Sequence, residues 1–193
     1  MKPIFAIRNY GFNFQELSFP ITKVLEAIPA SVEQKEVLKF NYNNLSMADW
    51  WPENIAAAFK QIPDKDAAAI PDICEWRGAS LMLSPRAYQC LYSVLEGYGE
   101  FLPVCVSGQT YHLFNCLTFG QIDEINSKQD IQNGVFMGVK KVRFNSYDIA
   151  EKIVFKTKFD RCATVFCDER FKNAVESNQL VGVEFREDLA DSL

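Results

Sequence analysis

The chain has 193 residues, 48% of them hydrophobic and 23% charged, with Phe 16, Tyr 7 and Trp 3. That is globular usage, and the aromatic content alone excludes disorder over most of the length. The formal charge is −5 and the isoelectric point about 5.0, which argues against a nucleic-acid binder with a basic face. No apolar run of roughly 18 residues is present to span a membrane. The opening Met1-Lys2-Pro3-Ile4-Phe5 passes into Arg8-Asn9-Tyr10 before a signal-peptide core forms, so a cytoplasmic location is expected.

The elements follow in chain order. Residues 3–10 read as a strand closed by Gly11. Ile21, Val24, Leu25 and Ile28 stand at helical spacing between Pro20 and Pro29, which predicts a helix. Residues 36–42 read as a strand. Pro52 opens a second predicted helix, with Ile55, Phe59 and Ile62 on one face and Pro63 ending it. Residues 64–71 read as a surface connection. Leu81-Met82-Leu83 is a buried-type strand, followed by the helix start Ser84-Pro85 and the stripe Tyr88, Leu91, Tyr92, Leu95. Strands at 101–106 and 110–114 flank Gly108-Gln109 as a two-residue turn, and Asn133-Gly134 marks another. Strands are expected at 139–144 and 153–155. Thr164-Val165-Phe166 leads into Asp168, the cap of a helix carrying Phe171, Ala174 and Val175, and 180–185 returns as a strand. The order strand, cap, helix, strand thus occurs twice, at 81–106 and 164–185. The expected class is α+β: a single domain over 1–193 of short, mostly antiparallel strands with a few helices.

Charge is uneven along the chain. Residues 33–75 carry eight acids and four bases, residues 139–161 seven bases and three acids, and residues 184–193 four acids and one base. The basic stretch reads as a solvated surface that pairs within the molecule, its Phe144, Tyr147 and Phe155 facing the core. Six cysteines occur without any CxxC: Cys74, Cys90, Cys105, Cys116, Cys162 and Cys167. Their apolar neighbours suggest reduced, structural thiols. His112 is the one histidine. Metal sites built on two histidines are excluded, and a Cys–His nucleophile would have to join His112 to Cys105 or Cys116. Gly97-Tyr98-Gly99-Glu100 lacks the third glycine and the strand-to-helix setting of a dinucleotide turn. Asp123-Glu124 reads as solvated carboxylates. No cofactor or metal is expected.

Asp49-Trp50-Trp51-Pro52 stands apart from these features. Adjacent side chains on extended backbone point to opposite sides, so one ring, Trp51 beside Pro52, is expected to be partly exposed.

The chain also resembles a known family. Pro71-Asp72-Ile73, Leu83-Ser84, Gly99-Glu100-Phe101-Leu102-Pro103-Val104, Tyr111-His112-Leu113-Phe114-Asn115, Ile153-Val154-Phe155, Val165 to Lys172 and Leu180 to Phe185 come in the order seen in an immunity-protein family of bacterial polymorphic-toxin systems. This is immunity protein family eleven, formerly a domain of unknown function. The family usually has serine where Asp168 stands, and both residues cap helices. The likeness covers roughly 70–186. It divides the chain into a variable part (1–70), a family-like core (71–186) and an acidic tail (187–193).

The resemblance implies a non-enzymatic cytoplasmic protein that binds a cognate toxin domain and blocks it by occlusion, with neither nucleic acid nor membrane as partner. Because the first seventy residues fall outside it, the expected contact surface is Trp50 and Trp51 with an acidic rim of Asp49, Glu53, Asp64 and Asp66. The alternatives are a small hydrolase using a Cys/His pair and a homodimeric scaffold.

Overall fold

The computed structural model describes residues 2–11, 13–63 and 69–190. The N-terminal third contains β1 (Ile4–Asn9), β2 (Glu16–Ser18), the short helices α1 (Thr22–Leu25), α2 (Gln34–Leu38) and α3 (Phe40–Asn43), a 3-10 turn (Ala48–Trp50) and β3 (Ala56–Lys60). The middle contains β4 (Ile73–Glu75), β5 (Ser80–Leu83), α4 (Pro85–Leu95), β6 (Gly99–Val106) and β7 (Gln109–Cys116). Then come β8 (Lys128–Gln132), β9 (Val135–Lys141), β10 (Val154–Phe155), β11 (Phe166–Asp168), α5 (Glu169–Ser177) and β12 (Val183–Arg186).

Three sheets result: a six-stranded one ordered β2-β3-β6-β7-β5-β4, a four-stranded one ordered β10-β11-β1-β12, and the separate hairpin β8-β9. All neighbours are antiparallel except β3 and β6. The α+β class expected from sequence is therefore corrected. The chain is mostly β, about 36% strand against 20% helix, and among the described residues only α4 and α5 exceed five residues.

The strand–helix–strand pattern seen twice in the sequence has one topology in both places. In the first unit, β7 lies between β5 and β6, antiparallel to each. In the second, β1 lies between β11 and β12 in the same way. Each is a split βαβ unit: two mutually parallel strands parted by an inserted antiparallel one. Their helices share a core, where Leu91, Leu95, Phe171 and Val175 are all buried with Leu81, Leu83 and Phe114 of one sheet and Phe5 and Ile7 of the other. Strand alternation sends the remaining side chains elsewhere. Met82, Leu102, Val104, Tyr111 and Leu113 join Val37, Phe40, Trp51 and Trp76 in a second core. Ala6, Phe144, Phe155 and Phe166 form a third.

The two large sheets meet where Asp72 N and Ile73 N donate to Val181 O (2.9 and 3.1 Å). Gly182 makes this approach possible: at φ +114, a Cβ there would lie 2.2 Å from Ile73 O. Asn9 and Glu75 clasp the same seam reciprocally, Asn9 N donating to Glu75 Oε2 (3.1 Å) and Glu75 N to Asn9 Oδ1 (2.8 Å).

Both predicted caps are present. Ser84 Oγ accepts from Ala87 N (3.1 Å), and Asp168 Oδ1 accepts from Arg170 N (2.9 Å) and Phe171 N (3.4 Å). Three local expectations are corrected. Residues 36–42 form α2 and α3, not a strand; Val37 and Phe40 are buried at helical spacing, with the break at Lys39. Residues 56–60 form β3, not a helix. Ile55, Ala57 and Phe59 also alternate, and pairing with β2 and β6 selects that period over the helix propensity of three alanines. The hairpin turn is Ser107-Gly108 (φ 50 and 79), one residue earlier than expected. Positive φ at both positions is the twist that two-residue hairpins favour.

Replacing Ser84 with alanine is expected to cost about 1 kcal/mol. Asp168→Ala is expected to cost more, about 2–3 kcal/mol, because Asp168 also pairs with Lys2 (2.8 Å) and Arg170 (2.6 Å). Urea denaturation of the two variants checks the order. A second expectation concerns Asp160, which is buried, so that its carboxyl is pushed from 3.8 up to about 6. The folded state then holds a proton that the unfolded chain has released. Stability falls by up to roughly 3 kcal/mol as pH rises from about 4 to about 6 and then levels. Asp160→Asn should flatten that profile in thermal melts taken across this range.

Candidate functional site

A concavity of about 870 Å³ lies where four segments converge. One wall is Lys39 and α3 with Tyr42. The facing wall is the β8–β9 hairpin, presenting Gln129, Ile131 and Phe136. The floor is the Arg77-Gly78 turn and the turn from Lys158 to Ala163. Local structure explains the arrangement. In the hairpin, Asn133-Gly134 supplies both positive φ values of a tight turn (51 and 78), and Ile131 pairs with Phe136 so that both face one side. Gln129 Nε2 donates to Phe159 O (2.7 Å), tying the hairpin to the floor. Asn41 Nδ2 donates to Arg77 O, tying α3 to it as well. On the floor Gly78 adopts φ +78, and a Cβ there would lie 2.6 Å from Cys162 O.

The lining is cationic and aromatic. Lys39, Arg77, Lys158 and Arg161 line the cleft, and among the described residues no Asp or Glu does. The Arg161 guanidinium sits over the Phe136 ring at 4.3 Å and Lys158 Nζ over Tyr42 at 5.1 Å. The basic stretch 139–161 therefore divides. Lys140 and Lys152 pair with Asp130 (2.9 Å) and Asp148 (2.7 Å) as expected. Lys156 is wholly buried, with no hydrogen-bond partner for its Nζ among the described residues. Lys158 and Arg161 turn into the cleft. Phe144 and Phe155 are core residues, whereas Tyr147 is 93% exposed. The sequence reading missed this site because Lys39 and Arg77 come from outside the basic stretch.

The predicted contact residues fare differently. Asp49 and Glu53 are exposed and Trp50 is half-buried. Trp51 is corrected: it is buried in the second core, its Nε1 donating to Pro103 O (2.8 Å), with its ring edge-on to Phe19. Asp64 and Asp66 lie outside the described residues. At the acidic end, Glu184 pairs with Arg186 (2.6 Å).

The Cys–His alternative finds no support in the geometry. The His112 ring stacks on Tyr88 (centroids 3.6 Å apart), and its Nδ1 has no hydrogen-bond partner among the described residues. Burial lowers the His112 pKa. All six thiols are free. Burial pushes Cys74 and Cys162 up to about 12 and Cys116 up to about 11, and it raises Cys167 well above the ordinary range. Such thiols are poor nucleophiles. Among the described residues no three His, Cys, Asp or Glu side chains converge as metal ligands would, and no helix is long and apolar enough to cross a membrane.

Alkylation of the native protein with iodoacetamide is expected to modify Cys105, the exposed thiol, first. Cys74, Cys116, Cys162 and Cys167 should react only after unfolding, and peptide mapping reads the order.

No curated protein matches the chain. A family model does, and it extends the likeness noted in the sequence: it begins at residue 13 rather than near 70, so α1–α3 and the Trp50-Trp51 segment lie inside the family region. Matched over residues 13–189, the chain belongs to the Immunity protein family (Imm11).

Proposed function

We propose that this protein neutralises a cognate bacterial toxin domain in the cytoplasm by binding it and covering its working surface, with no chemistry of its own. The observation that carries the reading is family membership over nearly the whole chain. Two features of the surface support it. Of the side chains that would form a Cys–His dyad, His112 stacks on Tyr88, Cys116 is buried, and the exposed Cys105 lies opposite Thr110 in the strand register, not opposite His112. On the β8–β9 hairpin Val135 and Met137, two residues apart on β9, are 59% and 57% exposed, apolar surface that suits a protein contact.

Trp50 is the proposed contact residue, with Asp49, Glu53, Asp64 and Asp66 as the acidic rim around it. Trp51 is not part of it; Trp51→Ala would cost about 3–5 kcal/mol of fold stability and so cannot report on binding.

Expression of the toxin domain encoded beside this chain should arrest growth, and co-expression of this chain should restore it, with a stable complex recovered by size exclusion. Failure to form that complex would sink the reading. Within the complex, Trp50→Ala is expected to weaken binding by about 2 kcal/mol. Reversing Asp64 and Asp66 to lysine should slow association, most visibly at low salt.

A further inference from the structure

Four cations share the cleft lining, in a chain with 25 acids and 20 bases. None of Lys39, Arg77, Lys158 and Arg161 makes an ion pair with a described residue, whereas Lys140 and Lys152 nearby each have a carboxylate within 3 Å. Gathering like charges in a concavity raises their mutual repulsion, which an anionic partner relieves. The cations are also held in place. Arg77 and Arg161 have φ 47 and 60, and both belong to turns fixed by the Asn41 and Gln129 hydrogen bonds and by the close approach of Gly78 to Cys162.

We propose that this cleft is the docking site for an acidic polypeptide segment, whose carboxylates pair with Lys39, Arg77, Lys158 and Arg161 while its apolar side chains lie against Tyr42 and Phe136. On the reading given above, from which this follows, the segment belongs to the toxin. Two observations favour a polypeptide over a nucleic acid. The volume, about 870 Å³, is that of a site for a few side chains. Beyond the cleft the molecule is net acidic, and a polyanion longer than the cleft would be repelled there.

The test is an amide chemical-shift titration of the full chain with two probes: a decapeptide alternating glutamate with apolar residues, and a thymidine decanucleotide. The peptide should shift the amides of Arg77, Gly78, Phe136 and Arg161 saturably, and the oligonucleotide should do so more weakly. Two charge-reversed variants, R77E/R161E and K39E/K158E, should each lose ~10-fold or more in peptide affinity. Lys60→Glu, on β3 and outside the cleft lining, should not. The second pair keeps the test decisive if Arg77 proves necessary for folding. Shifts confined to other residues, no saturable shift at millimolar peptide, or tighter binding of the oligonucleotide at the same amides would each overturn the proposal. Against a toxin that the parent chain binds, unchanged affinity of K39E/K158E removes the docking site and leaves neutralisation standing. A parent chain that binds the peptide at these amides but no toxin supports the cleft and removes only the neutralisation reading.

Discussion

The packing of α4 against α5 is the contact on which the rest of the molecule depends. Each helix belongs to a split βαβ unit, and neither unit buries its helix alone. Leu91 and Leu95 from one and Phe171 and Val175 from the other are at most 2% exposed, and the shared core takes side chains from both sheets. Because strands alternate, committing Leu81, Leu83 and Phe114 to that core turns Met82, Leu102 and Leu113 to the opposite face. That face needs cover, and α1–α3 with Trp51 and Trp76 provide it. The short N-terminal helices are too brief to persist alone in water, so their structure comes from this packing. The cleft wall that α3 supplies is thus a distant result of the α4–α5 contact.

How much was legible in the sequence follows from the range of the interactions. Ser84-Pro85 and Asp168 announced their helices because capping is settled within three residues. Asn133-Gly134 announced its turn for the same reason. Residues 56–60 did not declare themselves as a strand: alanine fits a helix locally, and the deciding partners, β2 and β6, are remote in sequence. Residues 36–42 failed in the opposite direction: Val37, Phe40 and Asn41 stand at helical spacing, but α2 and α3 are each about one turn long, too short for the period to declare itself. Trp51 was misjudged because the chain at Ala48–Trp50 turns as a 3-10 segment, which breaks the two-sided alternation assumed for adjacent rings.

The cleft was hardly legible at all. Lys39, Arg77, Lys158 and Arg161 span more than a hundred positions, and only the fold brings them together. The basic stretch 139–161 held half of the signal, but a linear charge count cannot separate Lys140, neutralised by Asp130, from Lys158, which is left to an aromatic face. The family likeness was clear where motifs are structural, in Leu83-Ser84 and Gly182. Over the first seventy residues no likeness was legible, although the family region reaches back to residue 13.

The insertion of β1 between β11 and β12 also sets the order in which the chain matures. Residues 4–9 leave the ribosome early but find their neighbours only in residues 166–168 and 183–186. Until then Phe5 and Ile7, both buried in the finished molecule, have no sheet to enter. The β5–β7 unit can collapse first, with α4 laid on it, but the second half of the shared core arrives with residues 166–186. Contacts of such sequence separation slow folding, and the four-stranded sheet cannot close before residues 183–186 are available to pair with β1.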